Sequence, residues 1–118
     1  MKTNEYGTPL DLNGYAPSIV QDSTDRCCYL CYANGHSDPL NRHEIFGGPC
    51  REKSKRLGLW VYLCHDRCHQ GQSGVHNNVE KDIALKRAAQ RAAMEQYGWD
   101  IDRFRREFYK NYLEEEDG

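Results

Sequence analysis

Two stretches decide the fold: CCYLCYANGHSDPLNRHEIFGG at residues 27–48, and LWVYLCHDRCH at residues 59–69. All six cysteines and all five histidines of the chain fall between Cys27 and His76, so its chemistry is expected there. Cys28-Tyr29-Leu30-Cys31 has the spacing of a zinc knuckle, in which one turn points two thiolates at one ion. Gly35 follows and is expected to ease that turn. A second pair, Cys64 and Cys68, has three residues between its members. At i and i+4 of a helix both sulfurs face the same side. Four thiolates satisfy a tetrahedral zinc ion, with Cys27 or His65 as substitutes for Cys28 or Cys64. Cys50 fits neither pair and reads as a free thiol.

The rest of the chain favours metal over disulfides. It has 118 residues, 38% of them hydrophobic, and a mean hydropathy of -0.93, a lean supply for one core. One domain is expected at this length, with a staple to help it fold. The opening MKTNEYGTPLDLNGYAP has no apolar run of the signal-peptide kind, and no stretch approaches the roughly 20 apolar residues of a membrane span. An intracellular, cytoplasmic chain is the expectation, and cysteines in a reducing compartment serve metals or catalysis more than disulfides. A disulfide-stapled secreted protein is the weaker alternative. The formal net charge of -2 conceals an asymmetry. Residues 26–76 carry seven Lys/Arg against four Asp/Glu, residues 81–110 carry eight against five, and Glu114–Asp117 pull the total negative. An anionic partner therefore remains open.

Residues 1–25 read as an irregular arm, punctuated by Gly7, Pro9, Gly14 and Pro17, which Tyr6, Leu10, Leu12, Tyr15, Ile19 and Val20 can pin to the body. Residues 26–76 hold two predicted strands, 42–46 and 59–63, rich in β-branched and aromatic residues. Between them, Gly47-Gly48-Pro49 and the charged run 51–56 read as a long basic loop. Residues 64–70 predict a short helix ended by Gly71 and Gly74. Residues 77–113 predict two scaffold helices. The first has its N-cap at Asn77, with Glu80 three residues on, an alanine face (Ala84, Ala88, Ala89, Ala92, Ala93) and Gly98 as terminator. Asp100 caps the second, whose stripe Ile101, Phe104, Phe108 and Tyr112 suits packing or a homodimer. Residues 114–118 form an acidic tail.

With four cysteines assigned to zinc, His43, His69 and His76 lack a structural task. They suit a second metal and a base working near pH 7. Their setting resembles the HNH nucleases of the ββα-metal fold, and small phage-type members in particular. The resemblance rests on His43-Glu44-Ile45-Phe46-Gly47-Gly48, Val61-Tyr62-Leu63-Cys64 and Val75-His76-Asn77-Asn78, with Asn13–Ser18 and the two C-terminal helices also similar.

That resemblance implies an α+β fold: a ββα-metal (HNH, or His-Me finger) core with a zinc knuckle and two C-terminal helices. It implies a metal-dependent endonuclease acting on DNA, of phage or prophage origin. His43 matches the general base. In relatives with His-His before Ile-Phe-Gly-Gly the second histidine aligns with Glu44, and His43 then matches a metal ligand. His69 matches a ligand of the catalytic Mg²⁺ or Mn²⁺, and His76 a further ligand or phosphate contact. Arg42, Arg51, Lys53, Lys55 and Arg56 are expected to grip the DNA backbone. Arg42 stands where many members have an acidic or histidine ligand, no asparagine precedes the Leu-Cys of the second strand, and Cys-x-x-x-Cys replaces the usual closer pair. The alternative these departures favour is a zinc-stabilised binding module without catalysis.

Overall fold

The computed structural model describes residues 2–22, 26–71 and 74–113; the acidic tail lies outside the described residues. Strands β1 (Leu40–Glu44) and β2 (Trp60–Cys64) pair antiparallel, with Leu40 opposite Cys64 and His43 opposite Val61. The first predicted strand is displaced by two residues, because Ile45 and Phe46 leave the sheet and are buried in the core. The connection is not the loop that its charge suggested. After a 3-10 turn at Gly48–Cys50, residues Arg51–Arg56 form helix α1. Arg, Glu and Lys are good helix formers, and Pro49 suits a first turn. The inward face of α1 is Ser54, fully buried, whose Oγ donates to the Phe46 carbonyl (2.8 Å) and accepts from the Phe46 N–H (3.1 Å).

A lone two-stranded hairpin is marginal in water, and the N-terminal arm answers that need. Every residue of β2 is buried. The Trp60 indole donates to the Ala16 carbonyl (2.7 Å), Ser18 Oγ donates to the Trp60 carbonyl (2.6 Å), and the Tyr62 N–H donates to Gln21 Oε1 (2.9 Å). Gly58 lets the arm approach: its φ is +76°, and a Cβ there would sit 2.3 Å from the Pro17 carbonyl oxygen. Ile19 and Val20 pack on the core and Tyr6 stacks on Tyr97 at 4.3 Å. Leu12, expected to pin the arm, is instead fully exposed.

Helices α2 (Val79–Tyr97) and α3 (Ile101–Phe108) follow. The N-cap of α2 is Asn78, one residue later than expected, accepting from the Lys81 N–H (3.1 Å). Gly98 ends α2 with φ +68°, and Asp100 caps α3 through the Arg103 N–H (2.7 Å). The buried face of α2 is Leu85, Ala89, Gln90 and Ala93, whereas Ala84 is exposed. Gln90 is satisfied by Asn111 and the Tyr112 N–H. Phe104 and Phe108 close on Phe46 at 5.6 and 4.7 Å. The stripe offered for a dimer is thereby used within the chain, with Ile101 left partly exposed and Tyr112 beyond the helix end. Among the described residues no helix is long and apolar enough to cross a membrane. The result is an α+β arrangement: a two-stranded sheet, helices, and two clusters of metal-ligating side chains.

Candidate functional site

The first cluster is Cys28, Cys31, Cys64 and Cys68, whose sulfurs all lie within 4.8 Å of one another. The Cys31 and Cys64 sulfurs are 3.7 Å apart. That matches the edge of about 3.8 Å expected of a tetrahedron with Zn–S bonds of about 2.3 Å. All six cysteines are free thiols. The four ligands fit zinc in number, chemistry and spacing. Cys27 and His65 are not in the cluster, so neither substitutes.

Local backbone explains the convergence. In the knuckle, the Cys28 N–H donates to the Ala33 carbonyl and the Tyr32 N–H to the Cys28 carbonyl. Tyr32, directly after Cys31, takes the left-handed conformation (φ 63°), and Gly35, the glycine expected to ease the turn, also has positive φ (89°). Cys64 is the last residue of β2 rather than part of a helix. Cys68 reaches it through a π-helical turn, His65–Gln70. Asp38 caps that turn, accepting from the Asp66 and Arg67 N–H groups (2.9 and 3.0 Å). Gly71 ends it with no space for a side chain, since a Cβ would lie 2.2 Å from the Asp66 carbonyl oxygen. Arg67 Nη2 donates to Cys31 Sγ (3.4 Å). Burial pushes the Cys31 thiol up, but the Ala33 N–H and the neighbouring thiols outweigh it and bring the pKa down to about 7.

The second cluster is His43, His69 and His76, each offering a ring nitrogen within 4.8 Å of the others. His43 projects from β1, His69 from the π-helical turn, and His76 from a 3-10 turn, Val75–Asn77. The Nε2 atoms of His69 and His76 are 2.9 Å apart. Adjacent corners of an octahedron with bonds of about 2.1 Å lie about 3 Å apart, so one ion fits both rings. Asn77 holds the two turns together: its Nδ2 donates to the carbonyls of Gln70 (3.2 Å) and Gly71 (3.0 Å). The residue expected to cap α2 is thus the brace between two metal-ligating segments. Asn41 Oδ1 meets Nδ1 of both His65 and His69.

His43 is buried, and among the described residues its Nε2 has no hydrogen-bond partner. A buried polar atom without a partner costs free energy and points to a ligand. Burial, with His69 and His76 beside it, lowers the His43 pKa to about 4. Burial and His76 also lower that of His69. Both rings are therefore neutral near pH 7, the form that binds metals. Three imidazoles alone suit Zn²⁺, Ni²⁺ or Fe²⁺ better than the oxygen-seeking Mg²⁺.

Two clefts adjoin this cluster. One, of about 450 Å³, is bounded by His43, Glu44, His76, Asn78, Asp82 and Lys86. The other, of about 610 Å³, is basic and aromatic, with Tyr15, Arg42, Glu44, Arg51, Lys55 and His69 on its walls. Glu44 borders both. It accepts from the Tyr15 hydroxyl (2.7 Å) and from Arg51 Nε (2.6 Å). Burial raises its pKa, but these two bonds outweigh it and hold it below the ordinary carboxylate value. Of the five basic residues singled out from sequence, the cleft gathers Arg42, Arg51 and Lys55. Arg42 pairs with Asp11 (2.6 Å) and lies 4.4 Å from the Tyr15 ring centre. Lys53 and Arg56 are instead paired with Glu107 (3.3 Å) and Glu5 (2.8 Å). Sequence reasoning missed Asn77, Asp38 and Tyr15 as the groups that fix the site. For Asp38 and Tyr15 no local signal exists, since their partners Asp66 and Glu44 lie 28 and 29 residues away.

Protein-family models, curated proteins and solved structures were compared with the chain, and none matches it.

Proposed function

We propose that this chain is a metal-dependent endonuclease of the ββα-metal kind, hydrolysing phosphodiester bonds of DNA. The observation that carries the reading is the buried, unbonded Nε2 of His43 beside two further imidazoles, between a basic aromatic cleft and a second cleft. Water adds across the P–O3′ bond: its oxygen joins phosphorus, His43 Nε2 takes its proton, and the 3′ oxygen leaves and is protonated by solvent. His69 and His76 hold the divalent ion, which when bound stabilises charge developing on the phosphate. Arg42, Arg51 and Lys55 draw the phosphate chain into the cleft, and Tyr15 stiffens them. Glu44 keeps Arg51 at the mouth of the site. Entry of the anionic backbone raises the pKa of His43 from its low starting value, making it a better base once substrate is seated. The cysteine cluster holds a structural zinc ion.

Supercoiled-plasmid cleavage tests this. Parent and His43→Ala, matched for zinc content, are incubated with Mg²⁺, Mn²⁺ or EDTA. Nicking that needs the added ion and falls at least ~100-fold in the variant is expected; equal cutting by both proteins sinks the assignment.

A second reading, a zinc-stabilised binding module, is favoured by one fact. Arg42, Arg51, Lys53, Lys55 and Arg56 all contact carboxylates already. It predicts DNA or protein binding with no metal-dependent cleavage by the parent.

A further inference from the structure

Imidazoles bring no negative charge to a dication. A carboxylate close by would offset the ion's charge and favour the harder cations. Two carboxylates border the His43–His76 cleft, those of Glu44 and Asp82. Glu44 is committed, with one oxygen bonded to Tyr15 and the other to Arg51. Asp11, two residues before Asn13 of the other cleft, is spent on Arg42 (2.6 Å). Asp82 differs. It stands in the first turn of α2, six residues after His76, and among the described residues its ion pair is with Lys86 on its own helix (2.7 Å, i and i+4). Both side chains of that pair are partly exposed, and i, i+4 pairs on a helix surface add little stability. Asp82 is therefore weakly held, faces the cleft, and its charge acts on the His43 ring.

We infer that Asp82 is the anionic member of the ion site held by His69 and His76 beside His43, a positioning residue that sets its affinity for divalent cations, with Lys86 as its resting partner. The inference rests on the proposed reading of His69 and His76 as ligands of a divalent ion. It gives α2, otherwise scaffold, a part in the chemistry. Asp82 acts by accepting hydrogen bonds from the ion's water ligands or by moving onto the ion itself; either places an oxygen anion where the imidazoles supply none.

The test is Mn²⁺ binding to the zinc-loaded protein without nucleic acid, read by calorimetry and by loss of the free Mn²⁺ resonance signal. Partners that support a metal's ligands typically carry ten- to a hundredfold in affinity. Asp82→Asn is expected to weaken binding at least tenfold, and Asp82→Glu to recover part of the loss. Lys86→Met removes the same ion pair but keeps the carboxylate, so it is expected to bind as tightly as the parent or tighter. The proposal is overturned if Asp82→Asn stays within twofold of the parent, if Lys86→Met loses as much, or if the parent takes up no Mn²⁺. A parent that binds Mn²⁺ in this Asp82-dependent way yet leaves plasmid intact sinks the nuclease reading and leaves the ion site standing.

Discussion

Glu44 shows how a single side chain sets a pH dependence. Its two hydrogen bonds favour the ionised form, so its folded pKa lies below the ordinary value. A depressed carboxylate contributes stability that is fully present above the unfolded pKa, near 4.3–4.5, and is lost as pH falls through the folded value. Glu44→Gln is therefore expected to unfold at lower denaturant concentration than the parent at pH 7, and to approach it by about pH 3. Urea titrations across that range measure this; a gap that is unchanged at pH 3 contradicts it. The histidines at this scale were legible from sequence, because His43, His69 and His76 stood out once the thiols were assigned. Tyr15 was read only as an anchor for the arm, since nothing local couples it to a carboxylate twenty-nine residues away.

The knuckle and the π-helical turn carry the thiol chemistry at the scale of elements. Cys28, Cys64 and Cys68 are buried around one point, Cys50 is buried elsewhere, and Cys27 is half-buried. In the zinc-loaded native protein, Cys27 is expected to react fastest with a thiol reagent. Six thiols are expected after chelation in denaturant. Cys27→Ser is expected to keep one zinc per chain, whereas Cys64→Ser loses it and the cooperative unfolding transition with it, because such sites supply apparent free energies of about 10–16 kcal/mol. Metal analysis of the two variants decides; zinc retained by Cys64→Ser would disprove the ligand set. The cysteine pattern identified this element, but its geometry was hidden. Cys64 belongs to a strand and Cys68 to a widened turn, so their closeness comes from the bend between them and not from helical periodicity. Likewise α1 was mistaken for a loop, because charge outweighed the signal of one inward serine.

The arm makes a whole of these parts at the scale of the molecule. Its backbone and side chains line β2 from Ala16 to Gln21, and only glycine fits at the crossing. Gly58→Ala would both strain a positive φ and drive a Cβ against backbone, which has no freedom to yield. A loss of at least ~1–3 kcal/mol is expected, seen as a lower Tm, with the arm becoming accessible to proteolysis before the helices. A Tm within one degree of the parent would show that the arm docks more loosely than its hydrogen bonds indicate. Pairings over such separations are the least visible in a sequence. The hairpin and helices were readable from periodicity, while the way the arm seals the sheet depends on contacts some forty residues apart.

Cys68 and His69 are neighbours in the chain, yet their side chains belong to different clusters. The π-helical turn is thus a common axle for the two clusters. Reciprocity follows: whatever factor an occupied thiolate cluster adds to the affinity of the imidazoles, an ion on the imidazoles returns to the thiolates. Starving the chain of zinc would then change the affinity of the imidazoles by that same factor, with none of their own residues altered.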